Sequence, residues 1–107
     1  MPTYQTIDAK TAKDLMTRSD TIILDVRNPD EFATGHIPSA VNVPLDFLVQ
    51  SMQYDPMKDL DATYLIYCRS GRRSAIAAEV LVQHDYSSVY DFGGILSWPY
   101  DVVVPSK

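Results

Sequence analysis

Two short apolar runs constrain this chain more than anything else in it. Thr21-Ile22-Ile23-Leu24-Asp25-Val26 and Tyr64-Leu65-Ile66-Tyr67-Cys68 are rich in β-branched and aromatic residues and hardly alternate with polar ones. That is the pattern of strands buried on both faces. Such strands need helices on both sides, and the intervening segments provide them. Asp8 can cap a helix over residues 9–18, with Ala12, Leu15 and Met16 on one face. Asn28-Pro29-Asp30-Glu31 combines a cap, a proline at the first helical position and a glutamate that can reach back to the cap. Gly35 ends that helix, and Pro38 confirms the stop. A short helix follows over residues 45–52, then a loop over 53–63 that carries Pro56. A longer helix over residues 74–82 shows an apolar stripe of Ile76, Ala77, Val80 and Leu81. Further strands are expected over residues 4–7, 41–43 and 88–91. Gly93-Gly94 reads as a tight turn, and residues 95–98 as a short helix stopped by Pro99. The apolar tail to Lys107 is expected to pack back on the domain. Alternation of strands with helices implies a mostly parallel α/β sheet covered on both faces.

With 107 residues and no repeat or low-complexity tract, the expectation is one domain over 1–107. The net charge of −5 argues against an extended nucleic-acid or acidic-membrane surface. No apolar run approaches the ~20 residues of a membrane span. The start, Met1-Pro2-Thr3-Tyr4-Gln5, lacks the basic and apolar regions of a signal peptide, so the chain reads as cytoplasmic unless a leader has been trimmed from it. The lone cysteine excludes an internal disulfide. With only His36 and His84 beside it, no zinc centre of the usual Cys/His type is expected.

Chemistry concentrates in Tyr67-Cys68-Arg69-Ser70-Gly71-Arg72-Arg73-Ser74. Three of the nine basic residues of an acidic chain, Arg69, Arg72 and Arg73, fall within this stretch, which suits a small anion and not a polyanion. Cys68 lies at the carboxyl end of a buried strand, where ligands bind in open α/β sheets. Successive backbone N–H groups, with Gly71 free to take a left-handed conformation, can form a nest aimed at an anion. The dipole of the following helix adds about half a positive charge. Helix N-termini and adjacent cations lower cysteine pKa values to a range of about 3.5–7.5, so Cys68 is expected to act as a thiolate nucleophile. No histidine neighbours it in sequence to support a Cys–His protease pair. The alternative, a cysteine that merely ends a buried strand beside solvated arginines, leaves the order of strand, cysteine, glycine, arginines and helix unexplained.

Loop length separates two chemistries. Cysteine-dependent phosphatases and arsenate reductases resemble one another in a cysteine, five residues, and then an arginine that grips the oxyanion. Here Ser74 is the sixth residue after Cys68, and the arginine falls one place early at Arg73. The loop is a residue tighter than a phosphate cradle and fits a compact sulfur adduct better.

At this point the chain resembles a single-domain rhodanese over nearly its whole length. Leu24-Asp25-Val26-Arg27 through Glu31-Phe32 to Gly35-His36-Ile37-Pro38-Ser39-Ala40-Val41-Asn42 is similar to the N-terminal motif of that family. The Cys68 segment resembles its six-residue active loop, and Gly93-Gly94 with Trp98 its C-terminal motif. The resemblance implies a three-layer α/β/α domain with a five-stranded parallel sheet of order 3-2-4-5-1. It implies a thiosulfate sulfurtransferase in which Cys68 carries a persulfide, with no cofactor. The amides from Arg69 through Ser70 and Gly71 to Arg73 would hold that persulfide, and the arginines would attract an anionic donor. The acceptor would be cyanide, a thiol or a sulfur-acceptor protein. The alternative within the same resemblance is a persulfide carrier that serves a protein partner through an exposed loop and does not turn over a small donor.

Other residues have simpler expected roles. Asp25 and Arg27 can approach the same sheet edge as Cys68, where a supporting ion pair or loop brace accounts for them. His36 reads as a satisfied turn histidine, His84 as a surface residue suited to a helix C-terminus, and Trp98 as core packing. Asp55, Asp59 and Asp61 belong to a solvated connector.

Overall fold

The computed structural model describes residues 3–105. Five strands form one sheet: β1 (Gln5–Thr6), β2 (Thr21–Asp25), β3 (Val41–Asn42), β4 (Thr63–Cys68) and β5 (Ser88–Gly94). All neighbours are parallel, in the order β1-β5-β4-β2-β3. This is the expected 3-2-4-5-1 order read from the other edge. The helices are α1 (Ala9–Leu15), α2 (Pro29–Ala33), α3 (Leu48–Ser51) and α4 (Arg72–Gln83), with 3-10 turns at Leu45–Phe47 and Ile95–Ser97.

The two apolar runs became the central strands because every side chain on them has a covered face to enter. Side chains alternate across a strand, and β4 divides accordingly. Tyr64, Ile66 and Cys68 join Leu24, Val26, Ala77, Leu81 and Val89 in a core beneath α4. Leu65 and Tyr67 join Ile23, Ile37, Phe92, Trp98 and Ala12 on the opposite face. Two cores separated by one sheet make the three-layer arrangement.

Local signals set the ends of the helices. The Asp8 carboxylate accepts from the Thr11 N–H at 2.8 Å, as an N-cap should. Glu31 Oε1 accepts from the Asn28 N–H at 3.0 Å, closing the start of α2. Four expectations need correction. Helix α1 ends at Leu15 and not at residue 18; the Met16 and Thr17 N–H groups close a final turn on Ala12 and Asp14. Helix α4 starts two residues earlier than expected, at Arg72. Its buried face is Ser74, Ala77, Ala78, Leu81 and Val82, whereas Ile76 is 49% exposed. Gly93-Gly94 is no tight turn: β5 runs through to Gly94, with a register shift against β4 between Ile66 and Cys68.

The tail returns to the domain through its backbone. His36 N donates to Val103 O at 2.8 Å, and Val103 N to His36 O at 2.7 Å, a single antiparallel bridge. Val102, Val103 and Val104 remain exposed, so the tail is held by hydrogen bonds more than by burial. Ser106 and Lys107 lie outside the described residues, as do Met1 and Pro2. Among the described residues no helix is long and apolar enough to cross a membrane.

Candidate active site

Cys68 is the last residue of β4, and Gly71 is the N-cap of α4. Only Arg69 and Ser70 separate them, so the chain must reverse sharply. Gly71 makes this possible at φ +108°, in the region closed to most L-residues. The turn brings the Gly71 N–H to 3.0 Å from Cys68 Sγ. A backbone donor aimed at sulfur is a charge-assisted hydrogen bond when that sulfur is anionic. The first turn of α4 adds N–H groups that have no intrahelical acceptor. Arg69, Ser70 and Arg72 are exposed, yet Cys68 itself is only 1% exposed. The loop faces solvent while its sulfur sits beneath it.

The rear wall is a polar cluster inside the α4 core. Ser74 Oγ lies 3.7 Å from Cys68 Sγ and donates to Asp91 Oδ1 at 2.7 Å. The same carboxylate oxygen accepts from the Gly93 N–H at 2.9 Å. Gly94 then passes so close to the loop that an added Cβ would collide with the Arg69 carbonyl and the Ser70 Cα. The double glycine therefore serves a close approach of two backbones, and the Leu96 N–H donates to Arg69 O at 3.2 Å across that contact.

The three arginines divide their duties. Arg69 and Arg72 are exposed and enter no ion pair among the described residues. Arg73 is held by Glu31 of α2, Nη1 to Oε1 at 2.7 Å and Nη2 to Oε2 at 2.9 Å. The Arg73 guanidinium is the main reason that the Glu31 carboxyl falls to about 2; partial burial opposes it and the Asn28 N–H assists. The fork is bidentate, so Arg73 fixes the start of α4 against α2.

Beside the loop, Asp25 and Arg27 form a buried pair. Arg27 Nη2 lies 2.6 Å from Asp25 Oδ2, with exposures of 5% and 0% for the two side chains. Arg27 Nε adds a bond of 3.0 Å to Asp25 Oδ1, and Arg27 Nη2 also donates to Gly35 O at 2.7 Å. Asn42 Nδ2 donates to the carbonyls of Asp25 and Arg27. The turn after β2 is thereby locked to the turn after α2. Tyr67, buried between these groups, accepts from the Ile37 N–H at 3.1 Å. Burial first, and then Asp25, push its phenol pKa up, so it stays neutral.

His36 stacks on Phe32 with ring centroids 3.9 Å apart, and its Nδ1 lies 3.0 Å from Ile37 O. His84 sits exposed just beyond α4, its Nδ1 2.9 Å from Val80 O. Trp98 packs between Phe92 and Tyr100, and its Nε1 donates to Asp101 O at 3.0 Å. Asp55, Asp59 and Asp61 are exposed. Sequence reasoning named Cys68 and its loop through Ser74, and Glu31 as a cap, but not the Glu31–Arg73 fork, the Ser74–Asp91 bond or a role for Asp91. A signal for Asp91 was present: it interrupts an apolar strand at a position whose side chain must point into the α4 core.

Residues 8–99 match the rhodanese-like domain family. The chain belongs to the rhodanese-like sulfurtransferase family. This rhodanese-like domain is 40% identical over 85 residues to a protein named sulfurtransferase from Allochromatium vinosum, covering 78% of this chain and 77% of that one. It is 33% identical over 89 residues to a Schizosaccharomyces pombe protein provisionally named a mitochondrial thiosulfate sulfurtransferase, covering 73% of this chain and 61% of that one. Among solved structures, a rhodanese-related protein from Thermoplasma volcanium superposes with a TM-score of 0.82 at 32% identity, over 95% of this chain and all of that one.

Proposed function

We propose that this rhodanese-like domain is a thiosulfate sulfurtransferase that carries sulfur as a persulfide on Cys68. The observation that carries this reading is the Gly71 N–H at 3.0 Å from Cys68 Sγ, at the mouth of the twelve-residue helix α4. The Cys68 thiolate attacks the outer sulfur of thiosulfate. A new S–S bond forms, the bond to the sulfonate sulfur breaks, and the electron pair leaves with sulfite. Cyanide or a thiolate acceptor then attacks the terminal sulfur of the persulfide. Thiocyanate or a new persulfide departs, and the Cys68 thiolate returns. Two displacements through one covalent intermediate replace a single direct transfer.

Each surrounding group has a part in this chemistry. The Gly71 amide, aimed at Cys68 Sγ, and the first turn of α4 stabilise the anionic terminal sulfur, since a helix start favours negative charge. Arg69 and Arg72, exposed and unpaired among the described residues, attract the dianionic donor. Arg73 has Glu31 as its partner, so it contributes more to the shape of the cradle than to capture. Asp25 and Arg27 support the loop from beside it. The provisional name of the S. pombe relative agrees with thiosulfate as donor.

Steady-state formation of thiocyanate from thiosulfate and cyanide tests the proposal. The wild type is expected to turn over and Cys68→Ser to be inactive with an unchanged circular dichroism spectrum. Sulfur transfer by Cys68→Ser at the wild-type rate would overturn it. A persulfide that forms but is not discharged to cyanide would instead identify a carrier that waits for a protein acceptor.

A further inference from the structure

We infer that Asp91 is a positioning residue for Cys68, acting through the Ser74 hydroxyl. This rests on the reading of Cys68 as the nucleophile. Asp91 is 6% exposed and belongs to β5. Alternation along the strand shows which way it points: Val89, two residues before it, lies in the core beneath α4, and Phe92, the next residue, in the core on the other face. Asp91 therefore occupies a place that alternation assigns to an apolar side chain. A carboxylate buried there is costly unless it is hydrogen-bonded.

Its bonds lead directly to the nucleophile. Ser74 has one hydroxyl proton and three oxygen acceptors in reach: Asp91 Oδ1 at 2.7 Å, Gly71 O at 3.1 Å and Gly93 O at 3.3 Å. The carboxylate is the shortest and the strongest of these acceptors, so the proton points at Asp91. That leaves a lone pair of Ser74 Oγ to accept from the Cys68 S–H, whose sulfur is 3.7 Å away, so the oxygen holds the thiol in place before it ionises. The second bond of Asp91 Oδ1, from the Gly93 N–H at 2.9 Å, pins the strand against which the loop closes, since a Cβ added at Gly71 would lie 3.6 Å from the Gly93 Cα. One carboxylate oxygen thus sets both the hydroxyl behind the sulfur and the backbone beside Gly71. Without it, Ser74 is free to turn to the Gly71 or Gly93 carbonyl, and the wall behind Sγ loses its fixed geometry.

Both bonds end on Oδ1, and an asparagine amide oxygen can accept both. That separates a hydrogen-bonding role from a need for charge. The experiment follows thiocyanate formation by wild type, Asp91→Asn, Asp91→Ala and Ser74→Ala, with kcat and the thiosulfate KM measured separately. Misplacement of a reacting group is expected to lower kcat on the order of tenfold or more in Asp91→Ala and Ser74→Ala. The KM should stay near wild type, and Asp91→Asn should restore most of kcat. If Asp91→Ala fails to fold, Ser74→Ala and Asp91→Asn carry the comparison alone. Wild-type kcat in Ser74→Ala, or a loss in Asp91→Asn as large as in Ser74→Ala, would overturn the inference. An inactive wild type would instead refute the sulfurtransferase reading on which it rests.

Discussion

Both terminal nitrogens of Arg73 meet both carboxylate oxygens of Glu31, at 2.7 and 2.9 Å, and this fork ties the start of α4 to α2 directly beside the Cys68 loop. The chain bridges 42 residues to make it. An arginine that sequence reasoning gave to the donor is thus engaged by a side chain from another element.

The fork predicts a pH dependence of stability. The Glu31 carboxyl lies at about 2 in the folded chain, against an ordinary 4.5. A depressed carboxylate contributes stability that is fully present above its unfolded value and is lost as pH falls through the folded one. Urea unfolding midpoints of the wild type should therefore fall between about pH 4.5 and 2 more steeply than those of Glu31→Gln. Parallel curves for the two proteins would contradict the pairing.

The division among the arginines predicts different kinetic signatures. Arg69→Ala and Arg72→Ala should each raise the thiosulfate KM, with a several-fold effect that weakens as salt screens the charge. Arg73→Ala should instead lower thermal stability, by about 1 kcal/mol for a partly exposed bidentate pair, as well as any activity that depends on the loop's shape. KM values and melting temperatures measured on the three variants separate these outcomes. A pure KM effect in Arg73→Ala would return that residue to donor capture.

Breaking the Asp25–Arg27 pair should cost far more. Both side chains are almost fully buried, and removal of one partner strands the other charge. Asp25→Ala is expected to lose about 3–5 kcal/mol of stability, measured by chemical denaturation. A loss below about 1 kcal/mol, the scale of an exposed pair, would show that the turn after β2 does not depend on it.

Gly94→Ala tests the close approach of the two backbones. An added Cβ would run into the Arg69 carbonyl and the Ser70 Cα, which are backbone atoms and cannot swing aside. Substitution at Gly93 meets no neighbour within 4 Å, but its φ of +93° is still unfavourable for alanine. Gly94→Ala is therefore expected to reduce sulfur transfer more than Gly93→Ala does, because it displaces the loop itself. Equal activities would contradict this account of the double glycine.

Much of the fold was legible because it follows from patterns local to each segment. The runs ending at Asp25 and Cys68 have no polar alternation and so had to be central strands. Asp8 and Asn28-Pro29 mark helix starts that need nothing from elsewhere in the chain. The misreadings arose where distant contacts decide. Of the stripe expected on α4, Ala77 and Leu81 are buried but Ile76 faces solvent, because which apolar flank of the helix is covered depends on where the sheet lies. Gly93-Gly94 looked like a turn because its real cause, the Arg69 backbone pressed against Gly94, lies in another loop. Cys68 could be found from its position between strand and helix. The Glu31–Arg73 fork and the Ser74–Asp91 bond were not legible, because they appear only once α2, α4 and β5 converge; Asp91 alone left a local sign, as a charge within an apolar strand.

The most direct test of the central claim is the intact mass and peptide map of the protein after exposure to thiosulfate without an acceptor. The account predicts one added sulfur, located on Cys68 and removed by cyanide as thiocyanate. A protein that gains no sulfur on Cys68 under these conditions, while remaining folded, would contradict it.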